Sequence, residues 1–159
     1  MNIHPLRINC RNQISESAGA VVYWMSRDQR VADNWALLHA QNLALKRQAP
    51  LAVVFTLADG FLGSPLRHFG FMLRGLVQVA ERLRDLGICF ILLRGNPPDE
   101  ICRFIQQHQV GVLITDFDPL SIKRSWQPGP QENSPDTGWR GCHRWSCLDC
   151  LRMAGGQPL

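Results

Sequence analysis

The chain has 159 residues, enough for one domain with a real core and too few for a large two-domain enzyme. Hydrophobic residues make up 45% and charged residues 19%, which excludes a wholly disordered chain. The 17 Lys+Arg against 13 Asp+Glu leave a charge of +4, a balance that permits contact with nucleic acid without demanding it. No apolar run is long enough for a bilayer span and no secretory signal opens the chain, so a soluble cytoplasmic protein without a membrane partner is expected. Cys10, Cys89 and Cys102 are scattered. The last two sit in apolar patterns, where a reduced thiol acts as a small hydrophobe.

In chain order, residues 1–19 read as a loose lead-in. Ala20–Met25 is a continuous apolar run, as a strand buried on both faces requires. Asp33 is placed to cap a helix running to about Arg47, with Trp35, Leu38 and Leu45 on one face. Leu51–Leu57 is a second buried strand. Ser64 and Pro65 are a cap and a first-turn proline for the best-patterned helix. Its stripe is Phe69, Met72, Leu73, Leu76, Val79, Ala80, Leu83 and Leu86, and Gly87 ends it. The aromatic residues Phe69 and Phe71 are read as core. Ile88–Arg94 is the third strand. Asn96 and Pro97 open a helix bearing Ile101, Phe104 and Ile105, Gly111 closes it, and Val112–Asp116 is the fourth strand.

This alternation predicts an α/β fold: a Rossmann-like open parallel sheet of about four to five strands with helices on both faces. Composition changes after Trp126. Gln127–Leu159 contains no Val, Ile or Phe but holds four of the ten prolines, five of the thirteen glycines and three of the six cysteines. Three units follow: the lead-in, a folded unit over 20–126, and a tail over 127–159 that is disordered or translated out of frame.

In open parallel sheets, ligands sit beyond the carboxyl ends of the strands. That rule alone selects Trp24, Arg27, Asp28, Arg30, Asp116 and Phe117 as candidate cofactor contacts. Each has a plainer reading. Ser26–Arg30 is also a solvated loop with an internal Arg–Asp pair, and spacing alone favours that by about two to one. Asp116 and Asp118 are spaced for acid–base or metal chemistry, but with no third ligand nearby, loop solubility is the stronger reading. No Gly-rich phosphate loop occurs, which removes the main support for a dinucleotide dehydrogenase or a nucleotide hydrolase. His39, His68 and His108 are paired with no nucleophile. Cys142, His143, Cys147 and Cys150 crowd too closely for an ordinary zinc site, so no metal is expected. Lys123, Arg124 and Trp126 are a weak nucleic-acid signal.

The run Val21–Leu37, with its Tyr23-Trp24-Met25 strand, its polar loop ending in Arg30 and its Asp33-Asn34 helix start, resembles the opening of the class II cyclobutane pyrimidine dimer photolyases. Arg67–Leu76 is similar to that family's second helix, and Leu113–Leu120 with Trp126 to its fourth strand and exit. The resemblance covers roughly 20–126. It implies the amino-terminal α/β domain of an enzyme that repairs ultraviolet-made pyrimidine dimers in DNA with blue light, through a reduced FAD held in a helical carboxyl-terminal domain. It also implies a scaffold role and, in many members, a deazaflavin or folate antenna pigment. Gln127–Leu159 departs from the family, and the helical domain has no counterpart here. No catalytic or FAD-binding residue is therefore carried over, and the chain alone is expected to be an inactive, truncated photolyase. The competing reading is a non-enzymatic pigment- or nucleotide-binding module, or the partner of a separate helical domain.

Overall fold

The computed structural model describes residues 3–4, 8–10, 18–60, 65–126 and 146–150. The strands are β1 (Ile8–Cys10), β2 (Ala20–Met25), β3 (Leu51–Leu57), β4 (Cys89–Arg94), β5 (Val110–Asp116) and β6 (Ser146–Cys150). The helices are α1 (Trp35–Arg47), α2 (Leu66–Asp85), α3 (Pro97–Gln107) and α4 (Ser121–Trp126). One sheet runs in the order β1-β6-β5-β2-β3-β4. All neighbours are parallel except β1, which pairs antiparallel with β6.

The expected α/β sheet with helices on both faces is therefore present. Two strands lie beyond the four that hydrophobic runs predict. Both are in segments read as lead-in and tail, and β6 bridges β1 to β5. The remainder of the tail, including Cys142 and His143, lies outside the described residues, as does Ser64.

Alternation across the strands divides the core. Val21, Tyr23 and Met25 point to the α1 and α2 face, joined by Val53, Phe55, Val112 and Ile114. Val22 and Trp24 point to the other face, where Ile101, Phe104 and Ile105 of α3 meet Val54 and Leu113. The α1 and α2 crossovers lie on one side and α3 returns on the other, so strand order reverses between β2 and β5. In open sheets such a reversal marks the crevice position, here the carboxyl ends of β2 and β5.

Several boundaries differ from the sequence reading. Asn34 rather than Asp33 caps α1, its side chain accepting from the Leu37 amide. Asp33 adopts φ +52 to bring the chain round to that cap. The inward face of α1 is Ala36, Leu37, Ala40 and Ala44, while Leu45 is exposed. Small alanines let the helix axis approach the sheet, which a bulkier face would prevent. Gly111 lies within β5 and does not end α3, whose last helical residue is Gln107. It sits at the register shift between Ala20 and Val21, where β5 carries one extra residue against β2. Gly19 leads into that irregularity with φ +156, and a Cβ there would lie 2.1 Å from the Gln109 carbonyl oxygen. Cys102 is disulfide-bonded and not a reduced thiol, whereas Cys89 is free and exposed.

The largest departure is in α2. At 20 residues it is about 30 Å long, whereas the seven-residue β3 before it spans about 23 Å. Only Leu76, Val79 and Leu83 are buried. The first half overhangs the carboxyl end of the sheet, with Leu66 87% and Phe71 77% exposed. Phe71 is thus not core, and Phe69 is only partly covered. Leu83→Ala is expected to cost about 2–5 kcal/mol, and Phe71→Ser to change stability by no more than about 0.5 kcal/mol. Urea unfolding of the two variants checks the division of the helix.

Candidate functional site

The crevice between β2 and β5 is built around one carboxylate. Asp116, the last residue of β5, is 4% exposed. Its Oδ1 accepts from the Tyr23 hydroxyl at 2.6 Å. Its Oδ2 accepts from three successive backbone amides, Ser26 and Arg27 at 2.9 Å and Asp28 at 3.2 Å. Burial pushes the Asp116 carboxyl up from its ordinary range, and these four donors pull it part of the way back. Burial, reinforced by the neighbouring Asp116, holds the Tyr23 phenol well above its usual value, so it stays a neutral donor.

Asn34 extends the network. Its Nδ2 lies 3.0 Å from the Tyr23 hydroxyl, 2.9 Å from the Asp28 carbonyl and 3.0 Å from the Arg30 carbonyl. The same side chain caps α1 through Oδ1. One asparagine thus ties the helix start to the loop and, through Tyr23, to the far strand.

The candidates chosen from the sequence are brought to one edge of the sheet but have different surroundings. Trp24 is buried against α3, and its indole donates to Thr56 Oγ1 at 3.1 Å. Asp116 is interior. Asp28 and Arg30 form the anticipated pair at 3.9 Å, and Arg30 also donates to the Asp33 carbonyl. Arg27 is exposed and Phe117 half-buried. Asp118 is buried as well, its carboxylate accepting from the Leu120 amide. The Asp116–Pro119 segment is therefore not a solvated loop: both carboxylates face inward. No cluster of metal-ligating side chains occurs among the described residues.

A cleft of about 150 Å³ lies beside the crevice, at the end of β3 and under the overhang of α2. Phe55, Leu57, Phe69, Met72 and Trp126 give it apolar walls, and Gln29, His68 and Lys123 its polar points. Lys123, which with Arg124 and Trp126 gives only a weak nucleic-acid signal in the sequence, turns inward, donating to Ser26 Oγ at 2.8 Å with its ammonium 5.1 Å from the Trp126 ring centre. Burial pushes that ammonium below its ordinary range, and Asp118 and Asp116 partly offset the effect. None of the six sequence-selected candidates lines this cleft. Its residues come from the loop after β2, from β3 and its exit, and from α2 and α4, which are remote in sequence. The local signals were the aromatic residues at the start of α2 and the Lys123–Trp126 cluster.

A family model described as DNA photolyase matches residues 21–145. Deoxyribodipyrimidine photo-lyase of Potorous tridactylus is 51% identical over 122 residues, covering 77% of this chain and 23% of that protein. The Arabidopsis thaliana protein of the same name is 48% identical over 107 residues, covering 67% and 22%. The chain thus spans less than a quarter of the length of the curated relatives it matches. A solved universal stress protein in complex with cAMP superposes with a TM-score of 0.50 at 17% identity, covering 85% of this chain and 98% of that one, a likeness of fold alone.

The Asn34–Tyr23–Asp116 chain is tested by a double-mutant cycle. Tyr23→Phe and Asn34→Ala are each expected to cost about 1–3 kcal/mol. Measured together, their effects should differ from additivity by at least about 0.5 kcal/mol. Additive losses would mean that the two side chains act separately.

Proposed function

This chain belongs to the DNA photolyase family, and from that premise we propose that it is the amino-terminal α/β domain of a class II cyclobutane pyrimidine dimer photolyase. The observation that carries this reading is the 51% identity to the Potorous protein over 122 residues. In the complete enzyme, light-driven repair of damaged DNA rests on FAD chemistry outside these residues. Here the sheet serves as scaffold, with a pigment site on its carboxyl edge. The 159 residues alone do not repair DNA.

Exposed side chains support a partner for the overhanging half of α2. Leu66 and Leu73, continued by Val77 beyond the overhang, fall on one stripe of the helix and are exposed, with Phe71 exposed on the opposite flank. An apolar stripe left uncovered in this way marks an interaction site. The matched segment is less than a quarter of the relatives' length, and the remaining, helical part of the photolyase is the occupant proposed for this surface.

The cleft fits one edge of a planar antenna pigment, a deazaflavin or a folate. Enclosed ligand pockets commonly run to about 300–1,000 Å³, and the cleft is smaller, so a pigment is held partly here and partly by the seated domain. Trp126 and Phe69 would flank the ring, with Lys123 and His68 at its polar edge. Of the sequence-selected candidates, Arg27 and Arg30 would be the ones to meet the outer end of such a ligand. Trp24, Asp28, Asp116 and Phe117 act by shaping the crevice behind it.

A domain exchange tests the assignment. Residues 20–126 replacing the matching segment of the Potorous enzyme should yield a chimera that repairs dimers under blue light, while the 159-residue chain does not. Repair by the short chain, or a folded, flavin-loaded chimera without repair, would overturn it. Pigment binding is tested separately on the chimera. Trp126→Ala and Lys123→Ala should each weaken deazaflavin binding, followed by fluorescence, by about three- to tenfold. Arg103→Ala, on α3, should leave it unchanged.

A further inference from the structure

Where strand order reverses, open α/β sheets commonly receive a phosphate on the backbone amides of the first strand's loop. Successive amides that point to one spot form an anion-binding nest. This chain has such a nest. The amides of Ser26, Arg27 and Asp28 converge on a single point, and the Tyr23 hydroxyl adds a fourth donor beside it. That point holds Asp116 Oδ2, an oxygen of the protein's own side chain.

We propose that Asp116 is a specificity-determining residue: its carboxylate occupies the anion nest of the β2 loop and closes the crevice to phosphate-bearing ligands such as nucleotides. The geometry allows no sharing. All three amides lie at hydrogen-bonding distance from one oxygen, and each has a single proton to give. Tyr23 is 0% exposed and gives its proton to the other oxygen. A phosphate oxygen would have to displace a buried carboxylate anchored at both oxygens. It would also leave that carboxylate unpartnered, at a large desolvation cost. The sequence agrees: the loop Ser26–Arg30 contains no glycine to bring its backbone up to an external phosphate. The arginines at the rim are therefore no indication of a phosphate at the nest.

This inference rests on the crevice geometry and stands whether or not the chain is part of a photolyase. Its test reads the backbone amides directly. The wild-type chain, isotopically labelled, is titrated with inorganic phosphate and with AMP against sodium chloride of equal ionic strength, and the amide signals of Ser26, Arg27 and Asp28 are followed by NMR. No saturable shift is expected. Asp116→Ala empties the nest. Formate should then bind there, shift the same three signals and raise the melting temperature in a saturable way that chloride does not reproduce. Its affinity should exceed that for wild type by at least about tenfold, the equivalent of one charge-assisted hydrogen bond. If Asp116→Ala does not fold by itself, it is refolded in formate and in chloride of equal ionic strength, and only formate, by filling the emptied nest, should restore the folded state. Saturable phosphate or AMP shifts at these amides in the wild-type chain would overturn the proposal. So would a folded variant that does not discriminate formate from chloride.

Discussion

A carboxylate placed inside a protein must find donors or be neutralised, and the carboxyl edge of this sheet is arranged around that requirement. Asp116 ends β5, and the groups that satisfy it belong to β2 and the loop after it. Meeting its needs therefore fixes the conformation of Ser26–Asp28. Asn34 then copies the constraint into α1, because one side chain caps the helix and also reaches Tyr23 and the loop carbonyls. Two central strands, a loop and a helix start are held by polar contacts at the one edge where the hydrophobic core cannot reach. The cost of an unpartnered buried group, about 1–3 kcal/mol each, makes such a network stiff.

The stiff edge stands beside a loosely covered one. α2 is longer than the strand it follows, so its second half packs on the sheet through Leu76, Val79 and Leu83, while its first half projects. Phe69 and Met72 there roof the cleft, and Leu66 and Phe71 face solvent. The cleft's polar points are Gln29, His68 and Lys123, the last tied to Ser26 and through it to the loop after β2. The cleft thus has one wall tied to the network and another formed by the projecting half of α2.

Much of this was legible in the sequence. Ala20–Met25 and Leu51–Leu57 have the bounds their apolar runs predict, and Ile101, Phe104 and Ile105 are buried as their spacing requires. Continuous apolar runs and helical stripes report burial directly, because burial is what selects them. The short strands β1 and β6 were not legible. Ile8–Cys10 and Ser146–Cys150 carry no apolar run, and pairing in the sheet, a backbone property, is what makes them strands. The inward face of α1 was misread because large residues were expected to point inward, whereas close helix–sheet approach selects Ala36, Ala40 and Ala44.

The same distinction applies at the site. The sequence by itself determined the α/β class, the parallel order of local crossovers and the resemblance to photolyases. These follow from patterns repeated within a few residues or along a continuous run. Only the tertiary structure decided what Asp116 does, since its partners lie 88 to 93 residues away and are mostly backbone amides, which no residue type announces. Likewise only folding decided that Phe71 is outside, that Lys123 is inside, and that β3, α2 and α4 share a cleft. Side-chain hydrophobicity is a local property, but whether a given position has a neighbour to bury it depends on the lengths and directions of elements far apart in the chain.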